Sequence, residues 1–347
     1  RSPAKSGVLF LYQINFYIYN MGSIILTADD YGACDFIDNG IIRALRLGKI
    51  NTVTAFVTHP DSKERMQTLI ALREELKQQN GSYTFNIGLH FSLTSGTALT
   101  GQTSLTGDEA GDDGLFEFHE AKNYPFRKVK SEHIQYELVA QLNLLDEWLN
   151  GNLIDHVSNH HGLTYLDLRF FEEYIKTISS YKDEKYSGNI PIRSPMSWLK
   201  SDMRTWKNGK ILLPTIKQGI EFGFWKKVSD VTNKKLKIRE RDAFALEINY
   251  PNFLTDSLYG LPYKENIEFL MKELSPKNYS AEFMFHLGHP GRNISDLQKT
   301  INDLIMPHGI DRGYFLNRTQ ELEALTQLDL QSKLLENELE KIFFAQA

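Results

Sequence analysis

Ser23-Ile24-Ile25-Leu26-Thr27-Ala28-Asp29-Asp30-Tyr31-Gly32 is the stretch on which the reading of this chain turns. Ser23 to Ala28 has the apolar, β-branched composition of a buried strand, and it ends in two acids, an aromatic and a glycine. Adjacent carboxylates repel unless a cation or a donor stands between them, so a pair directly after a strand is chemically informative. Taken alone, such a pair is more often a turn or a helix cap.

Working outward, similar runs recur at Thr52 to Val57, Phe85 to Phe91, Leu153 to Ser158, Ile190 to Ile192, Phe244 to Asn249 and Glu282 to Leu287. Between them lie helix patterns at Asp38 to Leu47, Ser62 to Gln78, His133 to Leu149 and Leu168 to Ser180. In the third, Ile134, Leu138, Leu142, Leu145 and Leu149 fall on one face, and Gly151 stands where a C-terminal cap is expected. Strand and helix alternate, which predicts parallel strands joined by crossover helices. The expected architecture is a TIM-like (β/α) barrel, irregular in places, of seven or eight mostly parallel strands; a doubly wound open sheet is the alternative.

Ser95 to Gly114, Lys182 to Gly188 and Trp198 to Lys210 read as loops or excursions. Residues 1–20 read as a leader or expression remnant ahead of a natural start at Met21. Residues 21–320 read as a single barrel domain and 321–347 as a helical tail. The apolar run Val8 to Tyr19 is too short to span a bilayer, and a cytoplasmic protein is expected.

The chain has 347 residues, 39 Lys plus Arg against 44 Asp plus Glu, and a net charge of −5. This balance argues against nucleic acid as a main partner. Its one cysteine, Cys34, excludes an intramolecular disulfide framework and a Cys-only zinc site.

Three predicted strands end in groups able to bind a divalent metal: Asp29-Asp30, then His90 in Gly88-Leu89-His90-Phe91, then His160-His161 after Val157-Ser158-Asn159. In a parallel barrel the strand C-termini converge on one mouth. One carboxylate and two imidazoles leave a coordination position open, as catalytic zinc requires, with the second acid free to accept a proton. A lone histidine at a strand end is more often structural, so the coincidence of the three carries the argument. Two further candidates are Arg193, which either steers a catalytic carboxylate or makes a structural ion pair, and the segment His286-Leu287-Gly288-His289-Pro290-Gly291.

These motifs resemble the YdjC-like (ChbG-type) carbohydrate deacetylase family. The matching elements are Ala28-Asp29-Asp30-Tyr31-Gly32, Asn39-Gly40-Ile41-Ile42, Gly48 to Thr54, Gly88 to Gly96, Ser158 to Gly162, Ser257-Leu258-Tyr259-Gly260 and His289-Pro290-Gly291, in family order from about Ile24 to Leu316. The resemblance implies a TIM-like barrel that removes N-acetyl groups from an amino sugar or short oligosaccharide. It implies metal ligands Asp30, His90 and His160, Asp29 as base and His289 as acid, with Arg193 and Tyr259 binding or orienting substrate. One divalent ion, zinc before magnesium, is the implied cofactor, and a homodimer is expected by analogy. Two departures stand out: Ser158-Asn159 where the family has Asp-Ser, and Gly162 where it has a second histidine. They leave His161 as an alternative ligand; separately, the tandem of His286 and His289 leaves open which of the two faces the site. A two-carboxylate glycosidase, pairing Asp29 with Asp155, Glu247 or Asp256, and a non-catalytic carbohydrate-binding protein are the competing readings.

Overall fold

The central strand, β1 (Gly22–Tyr31), pairs in parallel with β2 (Thr52–Ala55) on one side and with β6 (Ser280–Phe285) on the other. The structure, a computed structural model, describes residues 22–80, 84–106, 114–116, 124–181, 188–194, 250–255, 264–274, 279–291 and 312–343. Beyond β2 the sheet continues through β3 (Asn86–Phe91) to β4 (Val157–Asn159), and beyond β6 to β5 (Phe253–Thr255). Among the described residues every strand-to-strand pairing is parallel, and helices cross over between successive strands, giving a curled α/β half-barrel of the TIM-like kind. A bridge from Val157 to Ile192 extends the edge past β4.

The crossover helices are α1 (Asp35–Arg46), α2 (Ser62–Asn80), α3 (Thr103–Thr106), α4 (Ser131–Leu149), α5 (Leu163–Leu166), α6 (Leu168–Ser180) and α7 (Lys264–Leu274). After β6 come α8 (Arg312–Gln327), α9 (Leu330–Glu336) and a last strand, β7 (Leu339–Lys341). In α4 the predicted stripe is the buried one: Ile134, Leu138, Leu142, Leu145 and Leu149 are all at 0% exposure. Each contributes about 1.5–3 kcal/mol on leaving water.

Alternation along the strands separates two surfaces. Leu26, Ala28, Val53, Ile87, Leu89, Val157 and Phe283 join the main hydrophobic core under the helices. Thr27, Thr52 and Asn86 share one level of the opposite face, and Asp29, Thr54, His90, Ser158 and Glu282 also lie on it. All of these are buried. The lumen is therefore polar toward the strand C-termini. At its other end Ile25 packs with Ile342 in a small apolar cluster of its own.

Several boundaries differ from the sequence reading. The fourth strand is short, Val157–Asn159, because its approach is held by side chains as well: Ile87 N–H donates to the Asp155 carboxylate at 2.8 Å. Of Ile190 to Ile192, only Ile192 makes a bridge. α4 is capped by Asn150 in the left-handed region, one residue before Gly151. The tail is helical only to Glu336; Leu339–Lys341 pairs with the start of β1, beside Asn51, whose side chain accepts from Leu26 N–H and donates to Ile342 C=O. β5 was not anticipated. Phe244 to Asn249, Trp198 to Lys210, residues 1–20 and the Tyr259 loop lie outside the described residues. Among the described residues, no helix is long and apolar enough to cross a membrane.

Candidate metal centre and active site

A regular strand would send Asp29 and Asp30 to opposite faces. Instead β1 carries one extra residue between Ala28 and Tyr31 relative to β2, and Asp30 sits at φ 72. This bulge in the left-handed region turns both carboxylates to the same mouth, at a backbone cost of about 1–3 kcal/mol. Both are buried, at 1% and 2% exposure.

Asp30 Oδ1, His90 Nε2 and His160 Nδ1 form a triangle with edges of 3.1, 3.2 and 3.3 Å. Ligand atoms about 2.1 Å from a shared ion lie about 3.0 Å apart in octahedral and about 3.4 Å apart in tetrahedral geometry. The triangle falls inside that window, and Oδ1 has no hydrogen-bond partner of normal geometry. These three residues form the potential metal-binding group among the described residues. His90 is presented by β3, and His160 by the single 3-10 turn that follows β4.

The surroundings set the state of each of the three side chains. His90 Nδ1 lies 2.7 Å from Ser158 Oγ, and that hydroxyl is 3.4 Å from Leu89 C=O. With Nδ1–H donating to Ser158, the lone pair of Nε2 is left facing the triangle. Ser158, which departs from the family pattern, thus orients His90, while Asn159 accepts from Thr164 at 2.6 Å. The Phe56 ring packs edge-on against both His90 and His160. His161, at φ 57, stacks on His160 and bonds Thr94 at 3.2 Å, so its ring stays outside the ligand triangle. Burial opposes the charge on Asp30, but Arg318 and the two imidazoles hold its carboxyl well below the ordinary value.

Asp29 has a different set of partners. Arg193 clamps it by donating from both terminal guanidinium nitrogens, Nη1 and Nη2, at 2.6 and 2.7 Å, and Thr54 Oγ1 donates at 2.8 Å. Burial pushes its pKa up and the arginine overrides that, keeping the group ionised. Arg193 crosses the lumen and also bonds Glu282 on β6 at 2.7 and 3.0 Å. Arg193 thus holds Asp29 in place while tying β1 to β6.

His289 and His286 are separated by the sheet register. Phe285 pairs with Ala28, so His286 stands level with Asp29 at the strand tips, and burial lowers its pKa to about 4. His289, three residues on, bonds Arg43 on α1 at 3.0 Å, and its N–H donates to Phe36 C=O. The register thus brings His286 to the strand tips, while the recorded contacts of His289 run to α1. Sequence reasoning missed four more participants: Thr54, Glu282, Arg318 and Glu321. The first two were legible as polar residues at alternate strand positions. The last two come from α8, far along the chain, and carried no local signal.

A parallel α/β half-barrel with an Asp-His-His cluster at its strand tips, beside an arginine-clamped aspartate, defines the class of site. Residues 23–336 match the model of the YdjC-like protein family, and the chain belongs to that family. It is 27% identical over 198 residues to a carbohydrate deacetylase of Vibrio campbellii, covering 51% of this chain and 72% of that one. It is 30% identical over 170 residues to a chitooligosaccharide deacetylase of Yersinia enterocolitica, covering 49% of this chain and 58% of that one. A crystal structure of a proposed cellobiose-phosphate cleavage protein from Enterococcus faecalis superposes with a TM-score of 0.63 at 18% identity, over 94% of this chain and 98% of that one, a likeness of fold.

Proposed function

We propose that this chain is a hydrolase that removes the N-acetyl group from an amino sugar or a short N-acetylated oligosaccharide, using one divalent cation held by Asp30, His90 and His160. The observation that carries this is the ligand triangle placed beside a second, ionised carboxylate, Asp29. The names of the two relatives point to the same reaction. Two imidazoles and one carboxylate favour zinc or another first-row ion over magnesium, which prefers all-oxygen sites.

When bound, such an ion supplies Lewis-acid polarisation of the amide carbonyl and acidifies the attacking water. Asp29 accepts the proton of that water as the nucleophile closes on the carbonyl carbon. Arg193 and Thr54 keep its carboxylate ionised and fixed in direction. The proton taken by Asp29 is then passed through the neutral imidazole of His286 to the amide nitrogen, which leaves as the free amine while the acetyl group leaves as acetate. Burial keeps that imidazole neutral at rest, so it gains the proton only as it hands it on. The glycosidase reading loses its described partner, because Asp155 faces Ile87 N–H and Arg73 on α2 rather than the lumen.

The test is acetate release from N-acetylglucosamine oligomers before and after chelation. Loss of release on chelation, with recovery on adding back zinc, is the expected result. Release unaffected by complete metal removal would overturn the proposal.

A further inference from the structure

We infer that Arg318, on helix α8, is a positioning residue that makes Asp30 a one-oxygen ligand and thereby sets how tightly and with what geometry the cation is held. This inference rests on the metal reading of the Asp30, His90 and His160 cluster.

Asp30 presents two oxygens to different neighbours. Oδ2 accepts a hydrogen bond from Arg318 Nη2, while Oδ1 is the atom in the triangle with the imidazoles. A carboxylate left to itself can chelate a cation with both oxygens. One whose second oxygen is engaged by a guanidinium binds through the first alone and cannot swing. Arg318 is itself 1% exposed, so the ion pair is shielded from solvent and held by packing.

The helix that carries Arg318 is anchored to the same strand tips. One turn further on, on the same face, Glu321 accepts the backbone N–H of His286 at 2.6 Å. The C=O of Arg318 accepts from Gly288 N–H at 3.3 Å, and Phe315 packs edge-on against Phe36 of α1 at 5.0 Å between centroids. A segment near the C-terminus thus orients a ligand near the N-terminus, 288 residues away in the chain. In this arrangement α8 is a structural part of the metal centre as well as a cover for the sheet.

The experiment is a cobalt(II) titration of the full chain, read by competition with a chromophoric chelator and by visible absorption, which reports coordination number. Arg318→Met is expected to weaken cobalt binding about 10–100-fold, the usual scale for losing an outer partner of a ligand, and to alter the spectrum. Arg318→Lys, which keeps the charge but not the planar fork, is expected to fall between the two in affinity, with an altered spectrum. It carries the test if the methionine variant does not fold. In an Asp30→Ala background, Arg318→Met is expected to have no further effect on binding. Wild-type affinity and spectrum in the folded variants would overturn the inference, as would an undiminished effect without Asp30. Failure of the unmutated chain to bind cobalt at all would instead refute the metal reading beneath it.

Discussion

On the outer face of the sheet Leu26, Val53, Ile87, Leu89, Val157 and Phe283 meet the helices, while on the inner face the alternate residues Thr27, Thr52, Asn86, His90, Ser158 and Glu282 line a buried lumen. The two faces share strands, register and depth, yet differ in what holds them. Outer residues are interchangeable in kind, since any apolar side chain of similar volume maintains the contact. Inner residues are tied pairwise: Arg193 to Asp29 and Glu282, Ser158 to His90, Arg318 to Asp30. Loss of one partner leaves the other buried and uncompensated, so the inner face is specified residue by residue. Such a face suits a site whose charges must keep fixed positions during a reaction.

The inner face is most sensitive at Asp29. Asp29→Asn is expected to lower the rate of acetate release about 10²–10⁴-fold, on the order of 3–5 kcal/mol in the barrier, while bound metal measured by plasma mass spectrometry stays stoichiometric. Near-normal turnover would deny the inner face its catalytic base. The outer face should answer differently. Leu142→Ala, in the buried stripe of α4, is expected to cost about 2–5 kcal/mol in urea denaturation, yet to leave kcat/KM within a few-fold on the folded protein. A large activity loss without a stability loss would erase the distinction.

A smaller effect is expected from acid. Burial holds His156 neutral, its pKa well below the ordinary value, and lowers His286 to about 4. The unfolded chain binds protons on both near pH 6.5 and the folded chain does not, so the unfolded state holds more protons across that interval. These two histidines therefore subtract stability as pH drops from about 6.5 toward 4, by up to about 1.4 kcal/mol per pH unit each, against the opposite contribution of Asp38 and Asp155, whose burial raises their pKa to about 6. Proton resonances of the His156 and His286 rings are expected to show both neutral at about pH 5.5; charging of either ring near pH 6.5 would show that the lumen is accessible to protons.

Much of this was legible in the order of residues. The α/β alternation could be read because helix stripes such as Ile134 to Leu149 repeat at 3 and 4, while strands end at Asp29, His90 and Asn159 in chemistry-bearing groups. Three such ends in parallel strands must share a mouth, which is why the Asp29-Asp30, His90 and His160-His161 ends could be brought together in advance, while the choice of Asp30 and His160 within them rests on the family resemblance. What could not be read depends on tertiary register. The bulge that turns Asp30 inward exists only relative to β2, and the preference for His286 over His289 exists only relative to Ala28 on β1. Arg318 lies in a helix with ordinary surface spacing, and nothing nearby marks it as the partner of an aspartate at the other end of the chain. Tail residues Leu339–Lys341 became a strand because β1 offered an open edge before Thr27, where its pairing with β2 begins.

A single ion shared by Asp30, His90 and His160 would show in an anomalous-difference map at the zinc edge from crystals grown with zinc. The expected result is a principal peak about 2.0–2.2 Å from Asp30 Oδ1, His90 Nε2 and His160 Nδ1 together. A principal peak elsewhere, or none among these three side chains at saturating zinc, would contradict it.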